Sequence, residues 1–475
     1  MRSPPCDDRS PNRTWSSSVI RRFLALWTLL ALFVGAVSVP ASVLGAGPAP
    51  TDIPPLRSDG PVVLPDGRVL PVKPAWVQER SVQAEMLAVH AGERFAFVPG
   101  DRPQSFSALN APTPAAPATL AAPATLPNGM RKEILGFLPY WLLDAGSLPS
   151  MQYQLVTTIA YFGVAARSDG SLATTSGGAV TPGWSGWNSS AMTGVINAAH
   201  ARAVRVVLTV TMHAWGGGAE QAALLASATA RGRLVGAVVT AVRDRAADGV
   251  NLDFEPVATP QRDQYTSFVR QLKAALVAAG VGSYLTVDTT GGAATWASGY
   301  DLAGLTASGA ADALFVMGYD YSWSGSARAG AVAPMDSPYI LDLAESVDDY
   351  LSVAPAGKII WGVPYYGRTW QTTTGDLNSP TRPGASGASR AHSYDAARSL
   401  AATHGRRWDD VGKVPWFRYY DSPAATWVEG YYDDAASLAA KYDMVNQKGL
   451  AGTGMWTLLM DQGDSALWSL LASKF

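Results

Sequence analysis

Asp248-Gly249-Val250-Asn251-Leu252-Asp253-Phe254-Glu255 is an octapeptide in which Val250, Leu252 and Phe254 alternate with Asn251, Asp253 and Glu255, the two-residue period of a strand. Alternation places the three polar side chains on one face. Pro256 follows and biases the residue before it towards an extended backbone, so Glu255 closes the strand in line with the other two. Helical patterns at 234–246 and 263–279 flank the run. It therefore reads as an inner strand of an alternating β/α array rather than a solvated edge, and its inward polar groups require a reason. The C-terminal ends of such strands are where parallel barrels keep their active sites. Two carboxyls two residues apart in a water-excluding cavity do not both ionise freely, so one pKa is expected to rise and leave a proton donor beside an anion.

Working outward, apolar strand candidates recur at 134–138, 155–163, 204–210, 250–254, 284–287, 313–317, 359–363 and 452–456. Helical patterns intervene, for example at 189–202, 264–279, 340–353 and 434–448. This alternation predicts a (β/α)8 TIM barrel. No glycine-rich dinucleotide or phosphate loop supports the open-sheet alternative. The interval from about 368 to 433, between strand 7 and strand 8, is too long for a plain connection and carries strand signals at 416–420 and 426–432. It is expected to be a small α+β insertion walling the cleft, with a helix at 395–404 and a mobile loop at 380–389.

Ahead of the barrel, residues 1–22 carry five arginines, and 23–39 is an apolar run broken only by Thr28, Gly35 and Ser38. Residues 1–46 thus read as a signal peptide, with an uncleaved N-terminal anchor as the alternative, and the protein as secreted or held at the cell surface. Residues 47–110 fit a small β module, with strand-like pieces at 61–72 around Pro65-Asp66-Gly67 and at 94–98, or equally a spacer. A Pro/Ala-rich linker (111–130) leads to the barrel at 131–475.

A net charge of −2 gives no reason to expect nucleic acid as a partner. The single cysteine, Cys6, and five unpaired histidines form no metal-ligand pattern, so neither metal nor cofactor is expected. His213, just past an apolar strand, is placed within reach of the cleft, but reads first as a satisfied loop histidine. Of the 16 Trp and 18 Tyr, several cluster in expected loops, at 140–141, 184–187, 319–323, 416–420 and 427–432. Collectively they favour a saccharide cleft, because sugar faces stack on such rings.

The chain from Glu133 to Phe475 resembles glycoside hydrolase family 18, the chitinase-like and spore-cortex N-acetylglucosaminidase-like barrels. Five motifs carry the resemblance: Gly136-Phe137-Leu138-Pro139-Tyr140-Trp141, the octapeptide itself, Met317-Gly318-Tyr319-Asp320-Tyr321, Gly362-Val363-Pro364-Tyr365-Tyr366-Gly367-Arg368, and Gly454-Met455-Trp456. The resemblance implies an exported hydrolase acting next to N-acetylglucosamine through a substrate-assisted retaining mechanism. Glu255 matches its general acid, Asp253 the residue that orients the 2-acetamido group, and Tyr319 the hydroxyl holding that group's oxygen. Asp320 matches a polar contact in the same subsite and Trp456 its aromatic floor. Asn251, Met317, Tyr140, Tyr365 and Arg368 complete the expected substrate-binding set. Asn251 stands where many chitinases carry a third aspartate, as in family members acting on bacterial cell-wall glycan. The implied partner is an N-acetylglucosamine-containing polysaccharide, chitin-type or peptidoglycan, met by a monomer that touches membrane only if the N-terminal segment is uncleaved. The alternative is a non-catalytic carbohydrate-binding barrel.

Overall fold

Eight parallel strands close into a barrel: β1 (Glu133–Pro139), β2 (Thr158–Ala165), β3 (Arg205–His213), β4 (Gly249–Glu255), β5 (Tyr284–Thr290), β6 (Ala313–Met317), β7 (Ile359–Pro364) and β8 (Gly452–Trp456). Each pairs with its sequence neighbours, and β8 closes on β1 with Gly452 opposite Glu133. The computed structural model describes residues 81–93, 103, 126, 128–144, 146–215, 217–382 and 389–475, with two short strands at Val62–Val63 and Val69–Leu70.

The barrel strands are buried on both faces, which is why they read as near-continuous Val, Ile and Leu. Around them lie α2 (Ser190–His200), α3 (Ala228–Asp244), α4 (Arg262–Ala278), α5 (Leu343–Val353), α7 (Ala435–Gln447) and α8 (Ser465–Lys474), while α1 (Val82–His90) precedes the barrel in sequence and α6 (Tyr394–His404) falls between β7 and β8. Side-chain N-caps start several of them: Ser189 accepts from Met192 N, Ser227 from Ala230 N, and Asp434 forms a capping box with Ser437.

All eight expected strands are present, with two kinds of shift at their ends. β2 begins later than 155, because Tyr153–Leu155 forms a 3-10 turn. β3 and β5 run on past their apolar stretches to His213 and Thr290, since the polar residues there face the cleft.

Between β7 and β8 stands the expected α+β insertion. Its five-stranded antiparallel sheet has the spatial order Ser389–Ser393, Tyr366–Thr372, Thr426–Tyr431, Val414–Asp421 and Arg407–Asp409. Helix α6 (Tyr394–His404) packs on it, capped by Ser393. Of the loop expected at 380–389, residues 383–388 lie outside the described residues.

Ahead of the barrel, Val62–Val63 pairs antiparallel with Val69–Leu70; the turn expected at Pro65-Asp66-Gly67 lies outside the described residues. The leader at 1–46, the strand expected at 94–98 and most of the linker lie outside the described residues. Within 47–110 the described residues also include helix α1 (Val82–His90), which neither expectation for this region named. No single helix among the described residues is long and apolar enough to cross a membrane.

Candidate active site

Asn251, Asp253 and Glu255 all point inward from β4, each at most 1% exposed. The parallel register sets Thr209, Thr211 and His213 of β3 beside them in turn, and Thr286 of β5 beside Asn251. Thr286 Oγ1 donates to Asn251 Oδ1 at 2.6 Å, and Asn251 Nδ2 donates to Asp288 Oδ2 at 2.8 Å. Every polar atom of the amide is therefore engaged, with Thr209 Oγ1 a further acceptor at 3.4 Å.

His213 lies beside both catalytic candidates. Its Nε2 lies 3.1 Å from Asp253 Oδ2 and 3.4 Å from Glu255 Oε1. This corrects the reading of His213 as a loop histidine satisfied apart from the site. Burial pushes the imidazole pKa down, so His213 is neutral near pH 7 and, with its proton on Nε2, donates to the Asp253 carboxylate. Burial raises Asp253 to about 7. Glu255 is pushed well above the ordinary carboxyl range, by burial first and then by the Asp253 charge. Asp288 is raised by burial and by Asp253 in the same way. Near neutrality the cluster holds a protonated Glu255 beside an Asp253 that ionises first. The donor atoms of His213, Asp253 and Glu255 lie within 4.8 Å of one another, close enough to share a cation.

The loop after β6 supplies Tyr319, which is buried, and Asp320, which is partly exposed. Asp320 takes a left-handed backbone (φ 58°) and accepts a hydrogen bond from Tyr366 OH. Arg368, on the insertion's second strand and 1% exposed, holds down the Asp320 carboxyl that burial raises. Met317 ends β6 and lines the same space. Trp456 ends β8 at the mouth, wedged edge-on against Phe162 at 4.6 Å and tilted over Phe137 at 5.4 Å. A cavity of 710 Å³ opens beside Tyr319 and Asp320, lined also by Trp215, Trp296 and Trp323. Trp215 and Trp296 were not among the sequence-predicted aromatics.

Tyr365 does not join the site. Fully buried, it turns outward to the helix layer, with its hydroxyl 3.4 Å from that of Tyr442 on α7 and its ring edge-on to Trp468 on α8. The motif residue after β7 therefore packs the barrel against its helices, and its neighbour Tyr366 faces the cleft instead. Tyr140 stands at the cleft rim, edge-on to Trp141.

Helix α1 lies across these residues. Ser81 Oγ donates to Glu255 Oε1 at 3.0 Å, Val82 N donates to Asp320 Oδ2 at 2.8 Å, and Gln83 Nε2 donates to Tyr319 OH at 2.8 Å. Glu85 pairs with Arg368 at 2.8 Å, Tyr140 OH donates to His90 O at 3.1 Å, and the His90 ring stacks on Trp141 at 4.7 Å.

Comparison with known proteins gives a consistent result. The sequence profile described as Glycosyl hydrolases family 18 matches residues 146–461. The chain is 30% identical over 238 residues to "Putative sporulation-specific glycosylase YdhD" of Bacillus subtilis (strain 168), covering 50% of this chain and 53% of that protein. It is 28% identical over 271 residues to Chitinase A1 of Niallia circulans, covering 50% and 38%. The chain thus spans about half or less of these relatives. The fold matches that of an Ostrinia furnacalis Group IV chitinase with a TM-score of 0.61 at 19% identity, over 72% of this chain and 98% of that one.

Proposed function

Because the chain belongs to glycosyl hydrolase family 18, we propose that it is an exported glycosidase cleaving β-1,4 bonds next to N-acetylglucosamine, in chitin-type chains or peptidoglycan, by a substrate-assisted retaining mechanism. The observation that carries this reading is the pairing of Asp253 and Glu255, buried side by side at the end of β4 with an oxygen of each within 4.8 Å of the other. Two carboxyls on one strand reach a sugar from one side. That placement suits an acid beside a stabilising anion, and the resemblance to the family assigns the nucleophile to the substrate's own acetamido group.

In the proposed cycle, protonated Glu255 gives its proton to the leaving glycosidic oxygen. The acetamido carbonyl oxygen of the same sugar attacks C1 as the bond breaks, which makes a difficult intermolecular step intramolecular. Ionised Asp253, held by His213, stabilises the oxazolinium cation so formed, and Tyr319 keeps the acetamido oxygen in line. Glu255, now a carboxylate, takes a proton from water, which opens the ring at C1 with net retention. The arginine-rich start and the apolar run at 23–39 support export.

The test is product analysis by mass spectrometry after incubating the full chain, and its Glu255→Gln variant, with chitohexaose and separately with purified peptidoglycan. N-acetylglucosamine-ended products from the parent, reduced about 10²-fold or more in the variant, support the reading. Equal products from both proteins reject Glu255 as the acid. Binding of chito-oligosaccharide without cleavage by either rejects the hydrolase in favour of a carbohydrate-binding barrel.

A further inference from the structure

We infer that residues 81–93 are an intramolecular occupant of the substrate cleft, a plug that mimics the saccharide's contacts and must leave before substrate can bind. The inference rests on the glycosidase reading of that cleft. Its ground is the identity of the contacts, since the segment touches catalytic side chains rather than the rim alone.

Each contact falls where a sugar would make one. The Ser81 hydroxyl sits 3.0 Å from Glu255, in the place a glycosidic oxygen would take, although it donates to the carboxyl where that oxygen would accept. The primary amide of Gln83 meets Tyr319 OH at 2.8 Å and Met317 Sδ at 3.2 Å, where an acetamido group would be held. Gln83 is 2% exposed and its Oε1 has no partner among the described residues. A flip of the amide would let Oε1 accept from the tyrosine, as an acetamido carbonyl does. The His90 ring lies flat on Trp141 at 4.7 Å and 2° between planes, the place a pyranose face would take on an indole.

Electrostatics favours the docked state. The N-terminal turn of α1 points at the acidic cluster, and the Val82 N–H ends on Asp320, where the positive end of the helix dipole meets negative charge. Glu85 reaches Arg368, whose side chain is wholly buried, so undocking would leave that guanidinium without its surface-side partner. Val82 is fully buried and Met86 and Leu87 pack partly against the core. The open cavity is lined by Ser81 and Gln83 but not by Glu255 or Asp253, so the segment stands between the free space and the acids.

Displacement has a chemical consequence besides access. With α1 gone, water reaches Asp253 and Glu255, and part of the burial that raises both is lost. Release is therefore expected to move the acid limb of activity to lower pH. A tethered occupant also lowers apparent substrate affinity by the fraction of molecules in which it is docked.

The experiment compares the full chain with its Gln83→Ala/Glu85→Lys variant, which removes the amide and sets a like charge against Arg368. Three readouts are taken: hydrogen exchange of the amides of 82–90, affinity for chitotetraose, and hydrolysis of 4-methylumbelliferyl chitobioside. The expected result is protected amides in the parent, with protection lost in the variant and also on adding chitotetraose to the parent. Affinity and kcat/KM should rise together by about tenfold or more in the variant. Unprotected amides in the parent overturn the plug, as does loss of protection without a gain in chitotetraose affinity. A gain in affinity with no hydrolysis by either protein upholds the plug and sinks the glycosidase reading instead.

Discussion

Asn251 Nδ2 donates to Asp288 Oδ2 across 2.8 Å, so the amide on β4 is bonded to a carboxyl that the neighbouring strand provides. The side chain that looked like a missing acid is one half of an Asn–Asp pair. Asp288 is raised well out of the ordinary range by burial and by Asp253, and it is expected to stay protonated while Asp253 ionises. Replacing Asn251 by Asp puts a further potential charge beside Asp253, and like charge raises a carboxyl pKa. The acid limb of kcat/KM should move to higher pH, with activity near pH 6 falling roughly tenfold for each pH unit moved. Asp288→Asn exchanges one neutral group for another and should leave that limb nearly in place. A profile unmoved by Asn251→Asp would make the position electrostatically silent.

His213 acts on the same limb with a predictable sign. As a neutral donor 3.1 Å from Asp253, it favours the ionised carboxylate, so His213→Phe should raise the Asp253 pKa and shift the acid limb upward. The expected loss of kcat/KM at pH 6 is roughly tenfold, the worth of one hydrogen bond to a charged group. His213→Gln, which keeps an N–H donor, should recover part of it. Equal losses in both variants across the whole pH range would assign His213 to packing.

Tyr319 and Tyr365 carry opposite expectations. Tyr319→Phe removes the hydroxyl proposed to align the acetamido oxygen and should lower kcat about 10²-fold, leaving chitotetraose affinity less changed. Tyr365→Phe loses a long 3.4 Å contact to Tyr442 in the helix layer. It should leave kinetics intact and cost about 1 kcal/mol of stability. A kinetic defect in Tyr365→Phe would return that residue to the cleft.

Glu429 gives the insertion a pH-dependent stability. Burial raises its carboxyl to about 8, against hydrogen bonds from Tyr431 OH and Ser379 N. Between the ordinary carboxyl value and about 8, the folded chain holds a proton that the unfolded chain has released, so stability falls as pH rises through that window. Glu429→Gln keeps the shape without the titration. It should flatten the fall in Tm between pH 5 and pH 9 by roughly 2–4 °C. A parallel slope in the variant would place the pH dependence elsewhere.

The barrel was legible because its strands are buried on both faces and so carry unbroken apolar runs, and the acids were legible because polar residues alternate inside one of those runs. The same alternation recurs on the flanking strands, as Thr209, Thr211 and His213 on β3 and as Thr286 and Asp288 on β5. Extending the β4 argument to its neighbours would have reached both His213 and Asp288. Tyr365 misled because a strand's last residue and the one after it face opposite ways, and the motif alone does not say where β7 ends. Helix α1 was missed although Ser81 is a good N-cap and Glu85 an acidic first-turn residue. Its short apolar face makes sense only against a cleft formed by residues far along the chain.

Asp248 immediately precedes the strand that Glu255 closes. Its Oδ2 accepts from Val206 N at 2.7 Å and lies 2.9 Å from His200 Nε2, all of it buried at the end of β4 away from the mouth. A strand advances about 3.3 Å per residue, so a slip of one step would turn Glu255 to the wrong face and a slip of two would lift it by nearly 7 Å. Asp248 thus works as a depth gauge. The first acid of the octapeptide does no chemistry itself, but it sets the height at which the last one delivers its proton, and the motif is best understood as a calibrated length of strand.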